Sequence, residues 1–218
     1  MDTRAVIFDL DGVLVHTDRF HYLAWKKLSD RLGIYFDEKI NERLRGVSRS
    51  ESLEIILERW EGEPFSEREK KEMADRKNET YREFLAQMKP EDVSEDVRET
   101  LKALKERGYH LAVGSSSKNT KFILERTDLG GYFEAVSDGT MIKKTKPDPE
   151  VFLLAAKMLG IPPENCLVVE DADAGIQAAK AGGMRSAAIG SAVNSGADHI
   201  LDRISDLLDI CLTNEETG

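Results

Sequence analysis

The chain has 218 residues, of which 40% are hydrophobic and 33% charged, and its formal net charge at pH 7 is -10. This composition is typical of a globular protein and excludes a disordered or fibrous chain. The acidic balance and the lack of a Lys/Arg-rich block disfavour nucleic acid as a partner, because a phosphate backbone requires a basic surface.

The two cysteines, Cys166 and Cys211, predict neither a disulfide framework nor a zinc site, because they lie far apart and outside any metal-ligand spacing. No stretch approaches the roughly 18 apolar residues that a membrane helix needs, and the apolar run 5–8 is too short for a signal sequence. We therefore expect a cytoplasmic protein that binds no membrane.

The first predicted element is a buried strand over 4–10, an apolar run rich in Val, Ile and Phe that ends in a turn. Apolar residues at helical spacing then predict an amphipathic helix over 18–32, which Gly33 closes. Further helices are predicted over 37–45, 50–60 and 66–88. The stretch 15–92 is thus expected to be a block of helices.

The rest of the chain alternates between strands and helices. Strands are predicted over 109–114, 166–169 and 185–189, a short apolar run over 133–136, and helices over 94–107, 119–127, 149–159, 172–181 and 204–210. Alternation of this kind predicts a mostly parallel sheet with helices on both faces, an α/β fold of the doubly wound, Rossmann-like class. We expect two domains: an α/β core of residues 1–14 and 93–218, and an inserted helical cap of residues 15–92.

Four polar clusters lie at predicted strand ends or just before helices, where open α/β sheets bind their ligands. They are Asp9 with Asp11, the run Ser115-Ser116-Ser117-Lys118-Asn119, Lys146 before Pro147, and Glu170 with Asp171. The carboxylates form an oxygen-rich set without His or Cys, which suits a hard cation such as Mg²⁺. A carboxylate can attack phosphorus to give an aspartyl phosphate, and Lys146 and Ser115 would stabilise charge on the transferring group.

Each cluster taken alone also has a structural explanation. Asp-Gly after a strand is often a turn, one of the serines can cap a helix, and Glu170-Asp171 can be a charge pair at a helix N-terminus. Only the order of the clusters and their shared placement at strand ends favour a functional interpretation.

The segments FDLDGVLVHTD, VGSSSKN, TKPDP and VVEDADAGIQAAKAGG resemble the four motifs of the haloacid dehalogenase superfamily. The resemblance implies that Asp9 is the nucleophile and Asp11 the general acid/base. It also implies that Ser115 and Lys146 bind the transferring phosphate. The metal ligands would be Asp9, Asp11 through its backbone carbonyl, Glu170 and Asp171.

Within the predicted helical block, the segments HYLAWKKL, NERLRGVSRSESL and RKNETY resemble the cap helices of the β-phosphoglucomutase family. By this resemblance His21 orients Asp11, and Thr17 lies at the hinge between cap and core. The sugar phosphate would be bound on the cap side by Trp25, Gly46, Val47, Arg49, Ser52 and Lys77, and on the core side by Ser116, Ser117, Lys118 and Asn119.

The activity that this resemblance implies is interconversion of β-D-glucose 1-phosphate and glucose 6-phosphate through an aspartyl-phosphate enzyme and a hexose bisphosphate intermediate. One phosphate would react at Asp9 while Arg49 and Lys118 hold the other. The resemblance further implies Mg²⁺ as cofactor, hexose 1,6-bisphosphate as activator and phosphoryl donor, a small-molecule sugar phosphate as partner, and a monomer. The sequence departs from the family at His16, where an aspartate is usual, and at 94–97, which lacks a common Pro-Gly.

Two other functions are open from the sequence. A Mg-dependent sugar-phosphate phosphatase would share the core motifs, although the joint presence of His21, Arg49 and Lys77 favours the mutase. A non-catalytic metal- or phosphate-sensing module would be expected to have lost part of the core set, which is complete. Without the resemblance, His21 would be interpreted as a surface histidine and Trp25 as a packing residue.

Overall fold

The structure is a computed structural model that describes residues 2–44 and 48–212. Gly46 and Val47, both predicted for the substrate site, lie outside the described residues. The chain divides into two compact units, one of Met1–His16 with Met88–Gly218 and one of Thr17–Gln87, here called the α/β unit and the helical unit. The helical unit lies within the predicted stretch 15–92. In the described ranges, no helix combines the length and apolarity that crossing a membrane requires.

The elements are as follows in chain order. The strands are β1 (Ala5–Phe8), β2 (His110–Gly114), β3 (Ala135–Ser137), β4 (Cys166–Glu170), β5 (Arg185–Ile189) and β6 (His199–Leu201). The α-helices are α1 (Asp18–Leu32), α2 (Glu38–Glu42), α3 (Arg49–Leu57), α4 (Glu67–Leu85), α5 (Glu95–Glu106), α6 (Thr120–Arg126), α7 (Glu150–Leu159), α8 (Asp173–Ala181) and α9 (Leu207–Leu212).

In the described part of the α/β unit, a six-stranded parallel sheet has the strand order β3-β2-β1-β4-β5-β6. Helices pack on it, and α7 and α8 cover one face through Phe152, Ala155, Ala178 and their neighbours. A sheet of this kind is buried on both faces, which explains why the predicted strands are continuous apolar runs. The doubly wound α/β class predicted from the sequence is confirmed.

The central position of β1 determines where the polar clusters meet. All four of its residues are fully buried, and Phe8 pairs in register with Val113 of β2 and Val169 of β4. Because the three strands run parallel and in register, the residues that follow each of them lie at the same edge of the sheet.

The helical unit consists of α1 to α4 around its own apolar core, which includes Trp25, Leu28, Phe36, Leu53 and Ile56. Helix α1 ends at Gly33, whose φ of 70° is the left-handed conformation that closes many helices. Helices α3 and α4 each begin with a capping box, formed by Ser48 with Glu51 and by Ser66 with Glu69.

Several predicted boundaries were wrong by a few residues, and one strand was missed. Helices predicted to begin at 37 and 66 begin one residue later, because Asp37 and Ser66 are the capping residues whose side chains accept hydrogen bonds from the first turn. The helix predicted over 204–210 begins at Leu207, after a short 3₁₀ turn. Strand β6 has only three residues, which is too short for a periodic pattern to reveal.

Candidate active site

Asp9 follows β1 at the carboxyl edge of the sheet and is buried, with 7% of its surface exposed. Its backbone N–H donates to the carbonyl of Val169 at 2.9 Å, so the chain leaving β1 stays against the end of β4. The Asp9 carboxylate accepts a hydrogen bond from Lys146 Nζ, which also donates to Glu170 Oε1 at 2.5 Å. The structure thus brings together three groups from the first, third and fourth predicted clusters.

Burial and the charges of these three side chains shift the pKa values of Asp9 and Lys146. Burial raises the pKa of Asp9 well above its ordinary value; the positive charge of Lys146 opposes this shift and the negative charge of Glu170 adds to it. Burial alone would lower the pKa of Lys146, but Asp9 and Glu170 together raise it above its ordinary value. Lys146 therefore stays cationic, whereas the ionised form of Asp9 is disfavoured by its burial, and a divalent cation bound beside it would favour that ionised form.

Glu170 is held from both sides. Oε1 accepts from Lys146, Oε2 accepts from the backbone N–H of Ala172 at 2.8 Å, and 1% of the residue is exposed. Both carboxylate oxygens are thereby engaged in fixing the lysine and the start of α8. This geometry assigns Glu170 to holding Lys146 more directly than to binding a metal.

Asp171 lies against the turn that follows Asp11. A Cβ atom added at Gly12 would lie 2.0 Å from Asp171 Oδ2, and Gly12 has a φ of 84°, which is the left-handed region. Glycine is required here for both reasons, because a side chain would displace the carboxylate and the backbone conformation disfavours other residues. The turn after β1 and the end of β4 are thus packed together through Asp171.

The predicted metal ligands are the carboxylates of Asp9, Glu170 and Asp171 and the backbone carbonyl of Asp11, and this assignment stays a prediction. Among residues 2–44 and 48–212, no three His, Cys, Asp or Glu side chains form a group that would hold a metal ion. Mg²⁺ is usually bound by one or two carboxylates, with water and substrate phosphate completing its octahedron. Asp9 and Asp171 supply carboxylate oxygens of the kind that such a cation binds, and each follows one of the paired strands β1 and β4 at the same edge of the sheet.

The second predicted cluster forms a compact turn between β2 and α6. The backbone N–H of Ser115 donates to Ser137 O, and its hydroxyl accepts from the N–H of Ser117 at 3.2 Å. Ser117 Oγ accepts in turn from the N–H of Asn119. Within the described part of the chain, the buried Ser116 Oγ has no hydrogen-bond partner. A buried hydroxyl with unmet hydrogen-bonding capacity fits an anionic ligand at this turn.

One of the three serines was expected to cap the following helix, and Ser117 provides part of that cap for α6. The residue at the N-cap of α6 is Asn119, and its side chain makes no capping hydrogen bond. Ser117 supports the start of the helix instead, through its hydroxyl at Asn119 N–H and its carbonyl at Thr120 Oγ1. Lys118 is exposed on this turn.

Two contributors to this site have no signal in the sequence. The Phe152 ring on α7 lies 4.7 Å from Lys146 Nζ, so the lysine is held by a cation–π contact as well as by its carboxylates. Gly139 after β3 approaches the serine turn so closely that an added Cβ would lie 2.2 Å from Ser116 O. Neither residue belongs to a charged cluster, and only the folded packing identifies them.

In the helical unit, the predicted residues His21 and Lys77 are in direct contact. His21 Nδ1 and Lys77 Nζ are 2.9 Å apart, and Lys77 is 3% exposed although it is a lysine. Lys77 Nζ also lies 4.7 Å from the Trp25 ring and 4.8 Å from the Tyr81 ring. Trp25 therefore contributes both to the apolar core and to the environment of this lysine.

The electrostatics of His21 define its protonation state. Burial, and then the charges of Lys77 and Arg49, lower the pKa of His21 well below its ordinary value. A neutral imidazole that accepts a hydrogen bond from Lys77 at Nδ1 carries its proton on Nε2. His21 is thus a neutral N–H donor at Nε2.

Further predicted residues surround this pair. Thr17 Oγ1 accepts from the Tyr81 hydroxyl at 3.0 Å, and the Tyr81 ring lies 4.0 Å from the His21 ring. Arg49 donates to Asn78 Oδ1 at 2.8 Å, and burial lowers the pKa of Arg49. Ser52 is buried on α3. The sequence analysis assigned no role to Asn78 and Tyr81, although both lie within the segment RKNETY, next to Lys77 and one helical turn after it.

Comparison with known proteins identifies the family of this chain. A model of the family described as haloacid dehalogenase-like hydrolase matches residues 3–183. The β-phosphoglucomutase of Bacillus subtilis (strain 168) is 42% identical over 206 residues, which cover 94% of this chain and 91% of that protein. The phosphorylated carbohydrates phosphatase of Thermotoga maritima is 34% identical over 182 residues, 83% of this chain and 82% of that protein.

A solved structure shows the same likeness. The crystal structure of β-phosphoglucomutase from Clostridium difficile has a TM-score of 0.88 and 36% identity, and the match covers 99% of this chain and 98% of that one. The resemblance that the four motifs indicated is confirmed by these findings. The chain belongs to the haloacid dehalogenase-like hydrolase family.

Proposed function

We propose that this protein is a β-phosphoglucomutase, a phosphohexose mutase that interconverts β-D-glucose 1-phosphate and glucose 6-phosphate. The observation that carries the proposal is the buried Asp9–Lys146–Glu170 trio at the carboxyl edge of the sheet, in a chain 42% identical to a β-phosphoglucomutase. A carboxylate held beside a cation is suited to attack phosphorus, because the cation stabilises the negative charge on the transferring phosphoryl group.

In the proposed reaction, an Asp9 carboxylate oxygen attacks phosphorus of the hexose bisphosphate. The bond between phosphorus and the sugar oxygen breaks, and that oxygen takes a proton from Asp11. When the phosphate at C1 reacts, this half-reaction releases glucose 6-phosphate. The aspartyl phosphate then passes its phosphoryl group to the C6 hydroxyl of an incoming β-D-glucose 1-phosphate, whose proton returns to Asp11, and the bisphosphate forms again. The overall cycle moves phosphate between two positions without net hydrolysis.

Lys146 has the role of a fixed cation in both half-reactions. Its position is defined by Asp9, Glu170 and the Phe152 ring, so little reorganisation is needed when charge builds on the transferring phosphoryl oxygens. Ser115 and the buried hydroxyl of Ser116 supply hydrogen bonds to the same group. We propose that Ser117, Lys118 and Asn119 belong to the same phosphate-binding turn.

The proposed metal site comprises the carboxylates of Asp9 and Asp171 and the backbone carbonyl of Asp11. Mg²⁺ bound there supplies positive charge to the transferring phosphate. Replacing Asp171 with Ala should shift the Mg²⁺ concentration for half-maximal activity upward, because one of two carboxylate ligands is lost. Titration of activity against Mg²⁺ measures this shift, with Asp202→Ala on the exposed surface as a control. An unchanged titration curve would remove Asp171 from the site.

The helical unit is proposed to supply the residues that select a sugar phosphate. Arg49 is assigned to the phosphate that does not react, and Trp25, Ser52 and Lys77 to the sugar phosphate more broadly. His21, neutral and protonated at Nε2, is assigned to orienting Asp11. The roles of Gly46, Val47 and the Thr17 hinge stay predictions, as do the monomeric state and the cytoplasmic location.

A second candidate is a sugar-phosphate phosphatase, which the 34% identity to the phosphorylated carbohydrates phosphatase favours. In that case water, instead of a sugar hydroxyl, would attack the aspartyl phosphate. The joint presence of His21, Arg49 and Lys77, in segments that resemble the cap helices of β-phosphoglucomutases, favours the mutase.

One assay separates the two candidates. The protein is incubated with β-glucose 1-phosphate, Mg²⁺ and a trace of hexose 1,6-bisphosphate, and glucose 6-phosphate and free phosphate are both counted. We expect glucose 6-phosphate to exceed free phosphate by a wide margin, and α-glucose 1-phosphate to be a poor substrate. Free phosphate as the main product would identify a phosphatase.

A further inference from the structure

Gly175 occupies the first turn of α8, at a position where the helix gains nothing from a glycine. Its φ lies outside the left-handed region that only glycine favours. In a helix interior, alanine is more favourable than glycine by about 1 kcal/mol. The backbone conformation therefore does not explain why this position lacks a side chain.

The space around Gly175 does explain it. A Cβ atom added there would lie 1.9 Å from Glu170 Oε1, 2.0 Å from its Cδ and 2.5 Å from its Cγ. All three distances are far below van der Waals contact, so an alanine and the Glu170 carboxylate cannot both occupy this space.

Displacing Glu170 would have consequences beyond local packing. Its carboxylate is buried, and its two oxygens accept from Lys146 Nζ at 2.5 Å and from Ala172 N–H at 2.8 Å. The same Lys146 Nζ donates to Asp9. A side chain at 175 would therefore move one of the two carboxylates that hold the lysine beside the nucleophile.

We propose that Gly175 is a positioning residue for phosphoryl transfer: it leaves the space in which Glu170 lies, and Glu170 holds Lys146 against Asp9. The proposal rests on the proposed function in that Asp9 and Lys146 act in phosphoryl transfer. It adds a residue from the helix after β4 that contacts neither phosphate nor metal. Gly131 is the matched comparison, since nothing lies within 4 Å of a Cβ added there.

The test is a double-mutant cycle in the full chain, with Gly175→Ala, Glu170→Ala and the double variant. We expect Gly175→Ala to lower kcat for β-glucose 1-phosphate by about 10- to 100-fold, the usual loss when a supporting residue is displaced. KM should change little, and Gly131→Ala should match the wild type. The double variant should be no slower than Glu170→Ala alone, because an added Cβ then has no carboxylate to displace.

Two kinetic results would overturn the proposal. One is a Gly175→Ala variant with wild-type kcat, and the other is a double variant whose loss is the product of the two single losses. The second pattern would mean that Gly175 acts independently of Glu170. A general structural role of Gly175 predicts that the losses in kcat of the two single variants multiply in the double variant. A role through Glu170 predicts that they do not multiply.

If Gly175→Ala folds poorly, its kcat is not informative, and the melting temperatures of the variants test the proposal instead. The double variant should then melt at a higher temperature than Gly175→Ala, because truncating Glu170 removes the overlap. A double variant that melts lower than both single variants would contradict the proposal.

Failure of the proposed function has a different signature. If the wild type makes no glucose 6-phosphate, the mutase assignment fails. The same double-mutant cycle is then measured with hydrolysis of a small aryl phosphate as the activity. If the loss of hydrolysis in the double variant is smaller than the product of the two single losses, the role of Gly175 is still supported. If it equals that product, the role of Gly175 is overturned.

Discussion

Each of the two units buries a lysine, and their surroundings differ. In the α/β unit, Lys146 contacts two carboxylates and an aromatic ring, and its pKa is raised. In the helical unit, Lys77 contacts the imidazole of His21 and two aromatic rings. The first arrangement maintains a fixed positive charge where negative charge develops. The second instead fixes the protonation state of a neighbouring base, so burial of the same residue type serves two purposes.

The largest expected effect is that of removing the carboxylate that Lys146 serves. Asp9→Asn should lower turnover by about 10⁴-fold or more, as loss of a nucleophile does in other enzymes, and should leave the fold intact because the shape is kept. Steady-state kinetics and circular dichroism measure the two quantities. Activity near that of the wild type would refute the assignment of Asp9.

Removing the lysine of the α/β unit should reduce both activity and stability. Lys146→Ala leaves Asp9 and Glu170 buried without their cation, which typically costs about 3–5 kcal/mol of unfolding free energy. The loss of a preorganised charge should lower kcat by about 10²- to 10³-fold. Urea unfolding and kinetics test this, and Lys144→Ala at an exposed position is the control. Equal stability of the two variants would show that the trio contributes little to folding.

Removing the lysine of the helical unit should have a smaller and selective effect. Lys77→Ala should slow isomerisation of the hexose phosphate by about 10- to 100-fold, the range for residues that orient another group. Hydrolysis of a small aryl phosphate should be much less affected, because that substrate has no sugar to recognise. Equal losses with both substrates would argue against a role for Lys77 in sugar recognition.

The smallest effect is a pH dependence of stability that comes from His21. Its pKa is lowered in the folded protein, so the unfolded chain binds a proton more readily and the stabilising contribution is lost as pH falls below about 6.5. The wild type should therefore lose stability relative to His21→Asn, by at most about 1.4 kcal/mol per pH unit. Urea unfolding of both proteins between about pH 5 and about pH 8 measures it. A difference that does not vary with pH would contradict the neutral state of His21.

The sequence predicted the features that depend on local pattern. The buried strand β1, helix α1 with its glycine end, and the polar residues after β1, β2 and β4 follow from periodicity and turn chemistry alone. Parallel strand order then predicts that Asp9 and Glu170 lie at one edge of the sheet. The roles of individual residues came from the resemblance, and those of His21 and Lys77 have no other basis in the sequence.

Features that depend on packing between distant segments could not be predicted. The Phe152 ring beside Lys146 and the contact of Gly139 with the serine turn involve an apolar and a small residue without any motif. Tyr81 lies in a quoted segment, but nothing in the sequence indicates its contact with His21. The role of Glu170 as a metal ligand stays a prediction, and the sequence did not indicate that the backbone N–H of Ala172 engages its second oxygen. Strand β6 was missed because three residues carry too little periodicity.

The ion pairs of Lys146 join parts of the chain separated by 137 and 24 residues. Contacts between distant parts of a chain form slowly, because closing the intervening loop costs conformational entropy. Parallel sheets depend on such contacts, since helices lie between their paired strands. Catalytic competence should consequently be among the last properties that a refolding chain recovers. Secondary structure measured by far-ultraviolet circular dichroism should return before enzymatic turnover does.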